Sequence, residues 1–277
     1  MNYRHEFHAG NFADVLKHVF LTRILLYLQR KEKPFRYIDT HAGAGLFDLS
    51  GPEAARSGEA RSGIEMLRAH PPTGPAGELL APYLAAVAAC GPLYPGSPKI
   101  AQAMLRPQDK AICCELLPEA FASLRQSLGR DLRAKAVEID GYVALNAYVP
   151  PPERRGLVLI DPPFERRDEY ERIFDGVETA LRKWAGGIFM IWQPVKEPEL
   201  VDAFCRALAP LGEALRIELQ VETPAPGQPL ARTGLVVINP PYVLEEEARL
   251  LLPCLAEVLA RGPGAGFQLE RLGAADR

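Results

Sequence analysis

The chain has 277 residues, 48% hydrophobic and 24% charged, with a formal net charge of −3. This length accommodates one large α/β domain with room for an insertion, and the composition excludes a disordered or fibrous chain. The slightly acidic whole excludes a uniformly basic nucleic-acid binder, and no apolar run is long enough to span a bilayer.

Charge is unevenly placed. Residues 1–36 carry seven lysines and arginines against three acids, and four of the five histidines fall within the first 41 residues. A local basic patch of this kind attracts a phosphate backbone even on an acidic protein. Within residues 11–31, Val15, Val19, Phe20, Ile24, Leu25 and Leu28 recur at helical spacing, which predicts an amphipathic helix capped near Asn11. Residues 1–33 thus read as a basic helical motif. Met1-Asn2-Tyr3-Arg4-His5 lacks the apolar core of a signal peptide. Cys90, Cys113, Cys114, Cys205 and Cys254 form no Cys-x-x-Cys pair. They read as buried thiols of a reducing compartment, so a cytoplasmic location is expected.

Phe35–Asp39 reads as a strand opening into the glycine-rich turn Thr40-His41-Ala42-Gly43-Ala44-Gly45. Residues 51–109 change character, rich in Gly, Pro and Ala, with helical patches near 63–69 and 78–90; they read as a helical insertion. From residue 110 strands and helices alternate. Strands are expected at Ala111–Glu115, Ala136–Asp140, Leu157–Ile160 and Gly187–Trp192, with helices near 118–128, 168–184 and 197–209. Leu215–Glu222 and Gly234–Ile238 read as a final strand pair, followed by a helix near 245–260 and a weakly patterned tail. The alternation predicts a doubly wound, mostly parallel sheet of seven strands with helices on both faces, in one domain spanning 1–277.

In such sheets ligands bind outside the carboxyl ends of the strands. Acidic residues fall at four of those ends: Asp39, Glu115, Asp140 and Asp161. Glycine after the first lets backbone approach a ligand closely. Glu115 is positioned to accept both hydroxyls of a ribose, and Asp140-Gly141 to take the amine of an adenine. Asp161-Pro162-Pro163-Phe164 ends the fourth strand. Two prolines fix the backbone, so the carboxylate, the free carbonyls and the aromatic ring form a rigid shelf suited to a planar group bearing an amine. Asn239-Pro240-Pro241-Tyr242 fits the same pattern, but it follows the last strand, after the expected reversal of the sheet, so Asp161 is the preferred catalytic candidate. The turn lacks the full Gly-x-Gly-x-x-Gly spacing, which disfavours an NAD-linked enzyme. His5-x-x-His8 with His18 and His41 fits no common zinc module, and no metal is expected.

Several stretches together carry a family resemblance. They are Tyr3-Arg4-His5, Phe7-His8-Ala9-Gly10-Asn11, Ala13-Asp14-Val15-Leu16-Lys17-His18, Asp39–Gly45, Tyr94-Pro95-Gly96-Ser97-Pro98 and Asp161–Glu165. With them the chain resembles the RlmJ family of 23S ribosomal RNA adenine-N6 methyltransferases. The resemblance implies a Rossmann-like class I methyltransferase fold, S-adenosylmethionine as methyl donor, and adenine 2030 of 23S rRNA as the family's target. It implies His18, His41 and Ser97 at the cofactor, with Glu115 on the ribose and Asp140 and Gly141 on the adenine. Asp161, Pro162 and Phe164 would act in catalysis, with Asp161 also bordering the cofactor. Tyr3, Lys17 and Phe164 would meet the RNA. The substrate is expected to be protein-free 23S rRNA or an early ribosome precursor, the protein a monomer, and no membrane is involved. Methylation of DNA adenine or of a protein amide, and a catalytically silent RNA-binding module, stand as rival readings.

Overall fold

The computed structural model describes residues 5–225 and 227–273. Helix α1 (Phe12–Gln29) begins where Asn11 accepts from the Asp14 amide at 2.9 Å, an N-cap that satisfies one orphan donor of the first turn. The helix is not amphipathic in its setting. Leu16, Val19, Phe20, Leu21, Ile24 and Leu25 are all wholly buried, so apolar side chains surround the helix axis. It lies between the sheet and an outer layer that includes α4 (Gly74–Ala89), α5 (Ser97–Met104) and α10 (Leu244–Val258).

The main sheet holds β1 (Arg36–Asp39), β4 (Lys110–Glu115), β5 (Ala134–Glu138), β6 (Gly156–Ile160), β7 (Ile188–Pro194), β8 (Ala214–Gln220), β9 (Arg232–Ile238) and β10 (Gly266–Leu272). Their spatial order is β10-β8-β9-β7-β6-β1-β4-β5. The run from β7 to β5 is parallel, while β7–β9, β9–β8 and β8–β10 are antiparallel. Eight strands stand where seven are expected from the sequence. The extra strand, β10, lies at the edge with no fully buried residue, so it lacks the apolar alternation that marks a strand in sequence.

Side chains of β6 alternate between two cores, as strand geometry requires. Leu157 and Leu159 join the layer of α1, α4, α5, α6 (Pro118–Leu128) and α10, whereas Val158 and Ile160 face α7 (Gly141–Ala147), α8 (Glu169–Lys183) and α9 (Pro198–Leu208). Burial on both faces makes the strand a continuous apolar run.

The insertion has a structural hinge that its composition hides. β2 (Leu46–Asp48) pairs antiparallel with β3 (Leu93–Pro95), so the chain leaves and re-enters at one place. Between them lie α2 (Pro52–Ser57), α3 (Ile64–Ala69) and α4. Beyond β3 the chain delivers Ser97 beside the end of β1, where its hydroxyl donates to Asp39 Oδ2 at 2.7 Å. Gly45, at φ +82°, turns the chain into β2; a Cβ there would lie 2.3 Å from Ser127 Oγ.

Candidate active site

The carboxyl ends of β1, β4 and β6 and the turn after β5 open on one cavity of about 570 Å³, within the range of small-molecule and cofactor pockets. His18, His41, Ser97, Glu115, Asp140, Gly141 and Asp161, all expected from the sequence at a cofactor, line this same cavity. Each is held by its local structure. Glu115 accepts from the amides of Gly43 at 2.9 Å and Leu117 at 2.8 Å, which fixes the glycine-rich turn against the end of β4. Asp140 caps α7 and accepts from the amides of Tyr142 and Val143 at 2.9 and 3.1 Å. Gly141 has no room for a side chain, because a Cβ would lie 2.4 Å from the Thr40 carbonyl and 2.7 Å from the His41 ring.

The Asp161-Pro162-Pro163-Phe164 motif meets the N-terminal helix. Lys17 Nζ lies 2.6 Å from Asp161 Oδ2 and 2.8 Å from Asp14 Oδ1. Asp14 Oδ2 in turn accepts from the Gly10 amide at 2.9 Å and pairs with His5 Nε2 at 3.0 Å. Burial disfavours the Lys17 charge, but Asp14 and Asp161 outweigh it and hold its pKa above the ordinary lysine value. Burial likewise opposes the Asp14 carboxylate, and His5 and Lys17 reverse that and hold its pKa well below the usual range. Lys17, expected at the RNA, is a largely buried cation, 4% exposed, that lines the cavity and pairs with Asp14 and Asp161.

Burial pushes His18 down to about 3 and His41 to about 4, so both imidazoles are neutral near pH 7. His18 Nδ1 lies 2.7 Å from the Tyr94 hydroxyl, while its buried Nε2 has no hydrogen-bond partner. Asp39 is fully buried and burial raises its pKa to about 6; its Oδ2 accepts from Tyr37 and Ser97, and Oδ1 is unpartnered.

Pro162 and Pro163 line the cavity, but Phe164 does not. Its ring packs on Tyr170 at 5.2 Å and Trp192 at 5.7 Å, with φ at +50°, a conformation bulky residues rarely adopt. Tyr3 lies outside the described residues. The second Pro-Pro motif is remote from the cavity. β9 runs antiparallel to β7, with Ile238 opposite Phe189 near the start of β7, so Asn239 sits at the other end of the sheet. There its side-chain amide donates to the carbonyls of Ala185 and Gly187 at 2.8 and 2.7 Å.

Several cavity residues escape sequence reasoning: His5, Phe47, Tyr142, Glu169 and Arg172. Tyr142 directly follows Asp140-Gly141, and that adjacency was its available signal. Arg172 and Glu169 lie inside an ordinary charged helix and carry none.

Known proteins resemble this chain along nearly its whole length. The family model described as "Ribosomal RNA large subunit methyltransferase D, RlmJ" matches residues 32–270. The chain is 38% identical over 269 residues to ribosomal RNA large subunit methyltransferase J of Escherichia coli (strain K12), covering 95% of this chain and 96% of that protein. It is also 38% identical over 267 residues to the protein of the same name from Haemophilus influenzae, covering 94% of each. The crystal structure of protein LPL1258 from Legionella pneumophila superposes with a TM-score of 0.87 at 34% identity, covering 96% of this chain and 98% of that one. This chain belongs to the RlmJ family of ribosomal RNA large subunit methyltransferases.

Proposed function

We propose that this protein methylates N6 of one adenine in 23S ribosomal RNA, adenine 2030 in the family's numbering, on a base turned out of its helix. As a member of its family it is an S-adenosylmethionine-dependent rRNA methyltransferase. The finer reading rests on one observation above all. Asp161, followed by two prolines, borders the same cavity as Glu115 and Asp140, and Lys17 grips one of its oxygens.

The cavity residues fit the donor. The unpartnered Nε2 of buried His18 is a polar group left for a ligand. Glu115 offers a carboxylate to the ribose, Asp140 and Gly141 face the adenine, and Ser97 and His41 complete the walls. When bound, S-adenosylmethionine supplies an electrophilic methyl group.

The protein's part is alignment and charge. The N6 amine of adenine is a weak nucleophile because its lone pair is delocalised into the ring. Asp161 and the Pro162 carbonyl accept its two hydrogens, which turns the lone pair out of the ring plane. The carboxylate then stabilises the positive charge that develops on nitrogen. The proton leaves afterwards, so no strong base is required. Phe164, in its strained conformation beside Trp192, is the aromatic surface for the extruded base. Tyr3 joins the RNA contacts. The protein acts as a monomer in the cytoplasm, on protein-free 23S rRNA or an early precursor.

The test is a methyl-transfer assay with 23S rRNA, total DNA and cell protein offered in parallel. Label confined to N6-methyladenosine in RNA supports this reading. Label on DNA or protein alone overturns it.

A further inference from the structure

Beside Asp140 the cavity wall holds Tyr142, Glu169 and Arg172, which the proposed chemistry does not employ. Asp140 Oδ1 is committed to the two amides of the α7 cap, so Oδ2 is the oxygen left to meet a ligand. Arg172 stands beside that oxygen, 3.7 Å away. Arg172 is itself held in place. Its guanidinium lies 4.0 Å from the Tyr142 ring centroid and 3.7 Å from Glu169 Oε1. Tyr142 donates its hydroxyl to the same glutamate oxygen at 2.5 Å, and Glu169 is buried. On its other side Tyr142 meets the His41 ring edge-on at 5.4 Å. The result is a braced stack, His41–Tyr142–Arg172, with one cation turned toward the free oxygen of Asp140.

We infer that Arg172 is a positioning residue for recognition of the cofactor's nucleobase: it fixes Asp140 Oδ2 as an anionic acceptor for an exocyclic amine. The inference rests on the reading of Asp140 given above. A carboxylate held this way welcomes a 6-amino purine. It disfavours a 6-oxo purine, which would oppose oxygen to oxygen where the 6-amino group would donate. Arg172 also sits on α8, the helix that follows the Asp161 loop, so it ties the base-recognition end of the cavity to the catalytic end. A partly exposed ion pair at this distance contributes little to folding; its effect belongs in specificity.

The experiment titrates S-adenosylhomocysteine and its 6-oxo analogue, S-inosylhomocysteine, into the purified protein by calorimetry. Wild type is compared with Arg172→Met, Arg172→Lys and Asp140→Asn. Methionine keeps an unbranched chain over Tyr142, lysine keeps the charge, and asparagine keeps the helix cap. Wild type prefers the adenosyl ligand by about tenfold or more, the range of a charge-assisted hydrogen bond. Arg172→Met narrows that preference to about threefold or less without lowering the melting temperature, and Arg172→Lys retains most of it. A preference kept by Arg172→Met but lost in Asp140→Asn overturns the inference and leaves the Asp140 reading standing. No preference in wild type overturns the Asp140 reading itself, and the inference with it.

Discussion

Lys17 Nζ and Asp161 Oδ2 lie 2.6 Å apart, across 144 residues of sequence. The first belongs to a helix buried on every side and the second to the end of β6. The pair therefore ties the N-terminal segment to the carboxylate proposed for catalysis, with Asp14 as the second anion on the same ammonium.

Lys17→Met follows directly from that pair. It leaves Asp14 and Asp161 in a buried site without their cation, a loss worth about 3–5 kcal/mol where one partner of a buried pair is removed. The expected outcome is lower stability in urea unfolding and methyl transfer reduced in single turnover. Unchanged stability and unchanged turnover would show that the pair is dispensable.

Gly141→Ala tests the tight approach of α7 to β1. The new methyl meets the Thr40 carbonyl, which is backbone and cannot swing aside. Overpacking of this kind costs about 1–3 kcal/mol, and the displaced Thr40-His41 segment lines the cavity. Affinity for S-adenosylhomocysteine falls, as isothermal titration would record. Wild-type affinity in this variant would remove Gly141 from the site.

Stability against pH reports the buried charges. Unfolding lets His18 and His41, held down to about 3 and 4, take up protons near pH 5, and lets Asp39, raised to about 6, release one. The histidines make stability rise with pH over this window, and Asp39 makes it fall. Asp39→Asn removes the falling part. The rise in unfolding free energy between about pH 4 and 6 then steepens by up to about 1.4 kcal/mol per pH unit. Chemical unfolding at several pH values checks this; a shallower slope would contradict it.

Asn239→Ala separates the two Pro-Pro motifs. It removes two hydrogen bonds at φ +54°, where alanine is less tolerated than asparagine. The expected cost is about 1–3 kcal/mol of stability, with methyl transfer per folded molecule unchanged. Loss of transfer without loss of stability would return the second motif to consideration.

Much of this architecture is written locally. Leu157–Ile160 is an apolar run ending on a carboxylate, and the matching ends at Asp39 and Glu115 meet it because parallel strands share one carboxyl edge. What stays hidden depends on distant partners. Lys17 carries no mark of Asp161, since basic residues on a helix more often face water. α1 reads as amphipathic because its sequence cannot reveal the outer helices that cover it. β10 escapes because an edge strand with no fully buried residue lacks clear alternation. The β2–β3 pairing spans a whole insertion, so neither three-residue strand signals the other. Arg172 and Glu169 look like any charged helical pair until the fold sets them beside Asp140.

In the proposed reaction Asp161 activates the N6 amine of an adenine in 23S rRNA. The most direct measurement is transfer of labelled methyl from S-adenosylmethionine to protein-free 23S rRNA lacking the modification, with product nucleosides resolved. Wild type and Asp161→Ala are compared alongside their affinities for S-adenosylhomocysteine. Wild type is expected to form N6-methyladenosine at one site. Asp161→Ala is expected to lose at least about a hundredfold in rate, the scale of losing one electrostatic stabiliser of the transition state, while the cofactor still binds. Near-normal transfer by Asp161→Ala with the cofactor bound would remove Asp161 from the reaction.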